Sequence, residues 1–226
     1  MAWVGLYAMV NVTQAGKPAV KIAVDGPAAS GKGTWARRLA GHFGLRHLDT
    51  GGLYRAVAVR VLCQGGDPSD ETTSETAAQS LEKRDLDAPN LRSEEVGQAA
   101  SIVSSHPAVR AALLVYQRTF AARSPVAVLD GRDIGTVVCP EADAKIYLDA
   151  SIEARAKRRV KELRLRGVES IESRVLQEML DRDARDSGRA VAPRRAADDA
   201  RRIDTTDLSP DKVFDRALSY IAERLG

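Results

Sequence analysis

Ile22-Ala23-Val24-Asp25 runs directly into Gly26-Pro27-Ala28-Ala29-Ser30-Gly31-Lys32-Gly33-Thr34, and then into a stretch with Trp35, Ala36, Leu39, Ala40 and Phe43 at helical spacing. An apolar run ending on an acid, a glycine-rich turn and an amphipathic helix form the context in which a G-x-x-x-x-G-K segment binds phosphate. The glycines let successive backbone N–H groups turn inward around phosphate oxygens, and the helix start adds its positive end. Lys32 then reaches toward β- and γ-phosphates. We therefore expect Gly26, Pro27, Ala28, Ala29, Ser30, Gly31, Lys32, Gly33 and Thr34 to cradle ATP. The rival reading is an accidental glycine-rich turn, and the strand and helix in register on either side weigh against it. Gly33 stands where the general motif has Ser or Thr, and the hydroxyl comes one place later at Thr34. In GTPases and most ATPases the hydroxyl directly after the lysine holds Mg²⁺. Its displacement argues against a regulatory switch and leaves the Mg²⁺ ligands unassigned.

Working outward, four further apolar runs read as strands: Arg46 to Leu48, Val126 to Leu129, Lys145 to Leu148 and Arg202 to Thr205, beside Val20 to Val24. Four of the five end on or run into an acid, at Asp25, Asp49, Asp130 and Asp149. Helical patterns lie between them, the last with Val213, Phe214, Ala217, Leu218, Ile221 and Leu225 on one face. That helix has Ser209 as its N-cap, Pro210 at its first position and Asp211 in its first turn. Strands alternating with helices predict an α/β fold with a doubly wound, five-stranded parallel sheet and helices on both faces. A chain of 226 residues, 44% of them hydrophobic, suits one domain with insertions.

Two segments break the alternation. Residues 64–122 open with Gly65-Gly66-Asp67-Pro68 and are rich in acids and hydroxyls, with helices expected around Glu94 to Ser104 and Val109 to Ala122. Residues 155–190 carry recurring Arg and Lys in two helical patterns separated near Gly167. Residues 1–17 read as an N-terminal extension to a domain covering 18–226, and the apolar run Met1 to Val10 is about half the length that spans a bilayer. Cys63 and Cys139 lie outside any CxxC pattern, and His42, His47 and His106 show no ligand spacing. A disulfide framework or zinc site is not expected, and a reducing cytosol is. The net charge of +3 with Arg concentrated late suggests a local patch for small polyphosphates, not a surface for nucleic acid or membrane.

More specific stretches are Leu48-Asp49-Thr50-Gly51 with Tyr54-Arg55, Asp130-Gly131-Arg132-Asp133-Ile134-Gly135, and Arg182-Asp183-Ala184-Arg185-Asp186 with Arg189. Together with Asp25-Gly26-Pro27 and Gly31-Lys32-Gly33-Thr34 they resemble, in order from about Val20 to the C-terminus, the bacterial cytidylate kinases. These belong to the nucleoside monophosphate kinase branch of P-loop proteins. The resemblance implies ATP-dependent phosphorylation of CMP and dCMP by a cytosolic monomer, with Mg²⁺ as cofactor. It implies a P-loop core with a monophosphate-binding insert at about 64–122 and a short lid at about 155–190. It further implies that Arg55, Arg132, Arg182 and Arg189 bind the acceptor phosphate or the transferring phosphoryl group, with Lys32, Arg132, Arg182 and Arg189 catalytic. Thr50 and Asp186 would sit near the ribose and Ser101, Arg110 and Asp133 would read the cytosine edge, with Tyr54 completing the CMP site. The insert is shorter than is usual in the family, and a segment near Asp85 to Leu91 replaces a small hairpin.

The chemistry is sensible without a family name. Two polyanions must meet, and arginines cancel their repulsion with planar, permanently charged forks. A phosphate oxygen is already anionic at neutral pH, so the attack needs no general base. Positioning and electrostatic stabilisation suffice, and a mobile lid would exclude water as a competing acceptor. Against this, a lone arginine on a helix is more often solvated than functional. We expect that bland role for most of Arg155, Lys157, Arg158, Arg159, Arg164 and Arg166. Arg182, Arg185 and Arg189 recur beside Asp183 and Asp186, as functional groups or as structural ion pairs. Asp130 is either an acid of the Walker B kind or a cap or turn residue. Rival functions are an adenylate-type or small-metabolite kinase, a P-loop switch and a nucleic-acid binder.

Overall fold

The computed structural model describes residues 20–124 and 126–225, so the extension at 1–17 lies outside the described residues. Five strands, β1 (Val20–Asp25), β2 (Arg46–Asp49), β3 (Val126–Gly131), β4 (Ala144–Asp149) and β5 (Arg201–Asp204), form one parallel sheet in the order β2-β3-β1-β4-β5. The central three read as continuous apolar runs because they are covered on both faces, whereas β2 and β5, at the edges, are short and carry Arg. Each expected strand is present, and β5 stops at Asp204, one residue before the expected end. The register aligns the strand ends: Asp25 lies beside Gly131 and Tyr147, Asp49 beside Asp130, and Asp149 beside Asp204. All four acids that punctuate the sequence thus reach one edge of the sheet, the carboxyl edge where open α/β sheets bind ligands.

Helices α1 (Lys32–Phe43) and, at the chain's end, Pro210–Leu225 cover one face, where Trp35, Leu39, Phe43, Phe214 and Ile221 pack on Ile22, Val24, Ile146 and Leu148. Ser209 caps the final helix as expected, accepting from Lys212 N at 3.3 Å. The opposite face is built by α2 (Thr50–Cys63), α3 (Glu71–Gln79), α4 (Glu94–Val103) and α5 (Pro107–Ala122), whose Leu53, Val57, Val96, Val103 and Leu113 join Leu129 and Ile134. Between α3 and α4 a 3₁₀ turn, Lys83–Asp87, stands where a hairpin was expected to be missing, held by a capping box between Glu82 and Asp85 and by Arg60 to Asp85 at 2.8 Å. Outside these layers stands an antiparallel hairpin of α6 (Ile152–Leu165) and α7 (Glu172–Gly188), reversing at Gly167 with φ +74°. Its own small core of Ala156, Val160, Leu163, Val175 and Met179 is completed by Ala28 and Ala29 of the glycine-rich loop. Among the described residues no helix is long and apolar enough to cross a membrane.

Gly26, where β1 gives way to the loop, has φ +150°, and a Cβ built there overlaps the carbonyl oxygen of Leu148. Gly44, after α1, also has positive φ (+64°) but faces open space. Gly26→Ala is therefore expected to lower unfolding free energy by about 3 kcal/mol or more, combining overpacking and backbone strain. Gly44→Ala carries only the strain, about 1 kcal/mol. Urea unfolding of the two variants side by side checks this, and equal losses would show that the Leu148 contact relaxes freely.

Candidate active site

A cavity of about 430 Å³ opens at the carboxyl edge of the sheet. Its walls come from the glycine-rich loop, the ends of β2 and β3, the 64–122 segment and the α6–α7 hairpin. The loop contributes Ala28, Ala29, Gly31, Lys32, Gly33 and Thr34, while Gly26, Pro27 and Ser30 lie behind it. Gly31 (φ +94°) and Ala29 (φ +57°) turn the backbone inward, and the Ser30 carbonyl accepts from the Thr205 hydroxyl at 3.2 Å. Lys32 Nζ donates to Pro27 O at 3.1 Å. Burial, and then the neighbouring Arg132, push the Lys32 ammonium down to about 7, against the opposing pull of Asp130.

Asp130, the penultimate residue of β3, has a buried carboxylate whose Oδ1 lies 2.7 Å from His47 Nε2. An ionised carboxylate can only accept, so His47 is the donor. The other oxygen, Oδ2, faces Gly33 at the start of α1, 3.4 Å from where a Cβ on that glycine would sit. The sequence left Asp130 open between a site acid and a cap. Here its side chain faces the cavity, while its backbone carbonyl accepts from Thr50 Oγ1 at 2.8 Å.

The arginines divide by whether the chain already supplies them with a carboxylate. Asp186 on α7 accepts from Arg132 Nε at 2.9 Å and from Arg189. Burial alone would raise the Asp186 carboxyl, but Arg132, followed by Arg189 and Arg182, holds it well below the ordinary carboxylate range. Arg110 on α5 pairs with Asp133 and donates to Ser104 O at 3.2 Å, its guanidinium 5.5 Å from the Tyr54 ring centre. Arg110 Nε is buried without a partner. Arg189 also reaches Ser104 Oγ at 2.6 Å. Among the described residues Arg55 hydrogen-bonds only to the carbonyls of Leu91 and Ser93, at 3.3 and 3.5 Å. Arg182 makes no hydrogen bond or ion pair with the described residues, and its Nε is buried. Burial, and then Arg132, push its guanidinium down to about 9. A buried cation left without a counter-ion is costly, and such groups mark places where an anion binds.

Thr50, Tyr54, Arg55, Arg110, Arg132, Asp133, Arg182, Asp186 and Arg189 all line the cavity together with Lys32. Ser101 does not: it is buried behind the wall, where its hydroxyl accepts from Arg185 Nε at 3.1 Å, and Ser104, one turn later at the C-cap of α4, faces the cavity instead. Arg185 is likewise turned away, its second contact being Gln98 Oε1 at 3.1 Å. The solvated role expected for most of the α6 cations is corrected for three of the six. Arg155 is buried against Asp183 (2.6 Å), Ala150 O (3.0 Å) and Ala28 O (3.4 Å). Arg158 donates to Thr205 Oγ1 at 2.9 Å, and Arg159 joins Glu94 of α4 to Glu162 of its own helix. Lys157, Arg164 and Arg166 are exposed as expected. Nothing in the sequence marked His47, and Asp25 stood out only as an acid ending a strand before the glycine-rich loop, with no sign of its partners: its buried carboxyl accepts from the backbone N–H groups of Ile134 and Gly135, each at 2.8 Å. Burial pushes that carboxyl up to about 7, although the Gly135 and Ile134 amides pull the other way.

The family model for cytidylate kinase matches residues 22–223. The cytidylate kinase of Paramagnetospirillum magneticum is 54% identical over 206 residues, covering 90% of this chain and 98% of that protein. That of Rhodopseudomonas palustris strain BisB18 is 56% identical over 200 residues (88% and 94%), and that of Granulibacter bethesdensis is 57% identical over 203 residues (90% and 97%). Among solved structures, TT1252 from Thermus thermophilus superposes with a TM-score of 0.49 at 18% identity, covering 93% of this chain and 100% of that one, a likeness too loose to carry weight. Sequence likeness of this extent, over a phosphate loop that shares one cavity with the DGRD and RDxRD stretches, means that the chain belongs to the cytidylate kinase family.

Proposed function

We propose that the chain transfers the γ-phosphoryl group of ATP directly, in line, to CMP or dCMP, releasing ADP and CDP or dCDP. The observation that carries this reading is a single cavity lined both by the Lys32 loop and by the Arg110–Asp133 pair, with Arg182 in its wall making no direct ion pair among the described residues. The loop takes the ATP phosphates. Arg55 and Arg182, which make no direct ion pair among the described residues, are the groups most ready to receive the acceptor phosphate. Arg132 and Arg189 stay paired with Asp186, which fixes their planes and leaves further N–H groups for the transferring phosphoryl. No base is required, because the attacking oxygen is anionic. The segment 64–122 serves as the monophosphate-binding insert, and the α6–α7 hairpin as the lid that excludes water.

Mg²⁺ fits the residues present. It takes one or two carboxylates plus phosphate oxygens and keeps several waters, and Asp130 offers Oδ2 beside Gly33 while His47 occupies Oδ1. Asp130, with Thr34 nearby in the cavity wall, would hold the ion, which when bound offsets charge on the β- and γ-phosphates.

Cytosine presents an N4 amino donor and an unprotonated N3, where uracil presents an acceptor and a protonated N3. An ionised Asp133 accepts and Arg110 donates, so the pair matches cytosine and mismatches uracil at both positions. Each unpaired buried group costs about 1–3 kcal/mol, so two give on the order of a hundredfold preference for CMP over UMP. Coupled ADP-release assays on a panel of monophosphates test the activity, with CMP and dCMP expected first. In Asp133→Ala the ratio of kcat/KM for CMP over UMP should narrow by about tenfold or more; an equal loss on both substrates would place base reading elsewhere.

Arg182→Ala should lower kcat/KM for CMP by about a hundredfold or more, since it removes a cavity cation that has no ion pair among the described residues, with Arg182→Lys recovering only part because a point charge does not reproduce the fork. Circular dichroism should stay unchanged, and a loss confined to ATP binding would contradict the role.

The pH behaviour follows from Lys32. Its ammonium titrates near 7 in the ligand-free protein, and ATP phosphates restore a pKa well above that, so binding at about pH 8 takes up about one proton and affinity falls as pH rises from 7. Calorimetry in buffers of differing ionisation enthalpy reads the proton count directly. Lys32→Met should abolish the uptake, and uptake unchanged in that variant would assign it to another group.

A further inference from the structure

Asp25 has no part in the chemistry above, yet its geometry is unusual. It closes β1 immediately before Gly26 and is 4% exposed. Both carboxylate oxygens are used on one backbone turn: Oδ1 accepts from Ile134 N and Oδ2 from Gly135 N, each at 2.8 Å. Those amides open the π-turn Ile134–Val138, directly after Arg132 and Asp133. The β1–β3 ladder aligns the two chains only as far as the pair Asp25 and Gly131. Beyond Gly131 the chain leaves the sheet, and the Asp25 carboxylate takes over from the ladder as the tie between the two strands. Of the neighbouring charges, Lys145 is engaged with Asp199 at 2.9 Å, and Lys32 points to Pro27 O. The two amides are the hydrogen-bond partners of the carboxylate among the described residues.

We infer that Asp25 is a positioning residue for specificity: it touches neither substrate but sets the register between the phosphate loop and the Arg132–Asp133 pair. One carboxylate would then align the donor phosphates with the acceptor and its base reader. The inference rests on the proposed reading of the base by Asp133. The physical argument is local. A side chain that begins at the last residue before the loop and ends on the first two amides after Asp133 leaves neither segment free to shift alone. Asparagine in its place keeps the size but turns an NH₂ donor against one of two N–H donors, so the turn must rotate or lose a hydrogen bond.

Asp25→Asn, Gly135→Ala and Asp133→Ala form the test. A Cβ at Gly135 meets Asp25 Oδ2 at 3.4 Å and the flexible Lys145 Cδ at 3.2 Å, so that variant presses on the same tie from the other side without a backbone overlap. The measurements are the ATP dissociation constant, the kcat/KM ratio for CMP over UMP, and hydrogen exchange of the 134–138 amides. In Asp25→Asn we expect ATP affinity within about threefold of the parent, the CMP over UMP ratio narrowed about tenfold, and faster exchange at 134–138. Gly135→Ala should move the ratio the same way by about threefold. If Asp25→Asn does not fold, Gly135→Ala decides alone. A ratio unmoved in the folded variants, with CMP and UMP falling by one factor or ATP affinity falling as far as CMP activity, overturns the inference while a narrowed ratio in Asp133→Ala leaves the base reading standing. A ratio unmoved in Asp133→Ala sinks that reading and the positioning role with it.

Discussion

The cavity has to gather positive charge for two polyanions and still fold when they are absent. Asp186 is where that conflict is resolved. It accepts from Arg132, at the end of β3, and from Arg189, at the end of α7, so one buried carboxylate ties the sheet edge to the hairpin while offsetting two cations. Asp186 is held ionised by the arginines around it, whereas Lys32 and Arg182 are depressed first by burial and then by the field of Arg132. A phosphate entering this field relieves repulsion already present in the fold, so part of its binding energy was stored when the chain folded.

The parallel sheet makes such crowding possible. Because all five strands run the same way, Asp25, Asp49, Asp130 and Asp149 arrive at one edge, and each has a different local task. Asp49 caps α2 by accepting from Gly52 N at 3.1 Å, Asp130 turns its carboxylate to the cavity, and Asp25 holds the turn after Asp133. Asp149 accepts from its neighbour's amide, Ala150 N, at 2.9 Å, and is the most exposed of the four. A common position in the strand thus does not imply a common role.

Strands, helices and the phosphate loop were legible because their signals are local: an apolar run, a 3.6-residue period, Ser209-Pro210-Asp211 at a helix start. The motif residues that line the cavity were legible by resemblance. What escaped was pairing over long sequence separation. His47 looked isolated because its partner, Asp130, is 83 residues away, and Asp25 because its amides are 109 and 110 residues away. Arg155 belongs to a run of cations that all look solvated, and only the fold shows it against Asp183 and Ala28. Ser101 in the last turn of α4 and Ser104 at its C-cap lie three apart, near neighbours in helical geometry, and a sequence cannot say which one Arg185 covers.

Ala28 and Ala29 are wall residues of the phosphate loop and also part of the apolar core of the α6–α7 hairpin. Arg155 adds a second strut, from α6 to the Ala28 carbonyl. The hairpin is therefore not a flap hung from the edge of the molecule. Its bearing surface is the glycine-rich loop itself, so leverage on either one is transmitted to the other: the hairpin cannot tilt without pressing on Ala28 and Ala29, and under the proposed function it would pivot on the very backbone that holds the donor phosphates.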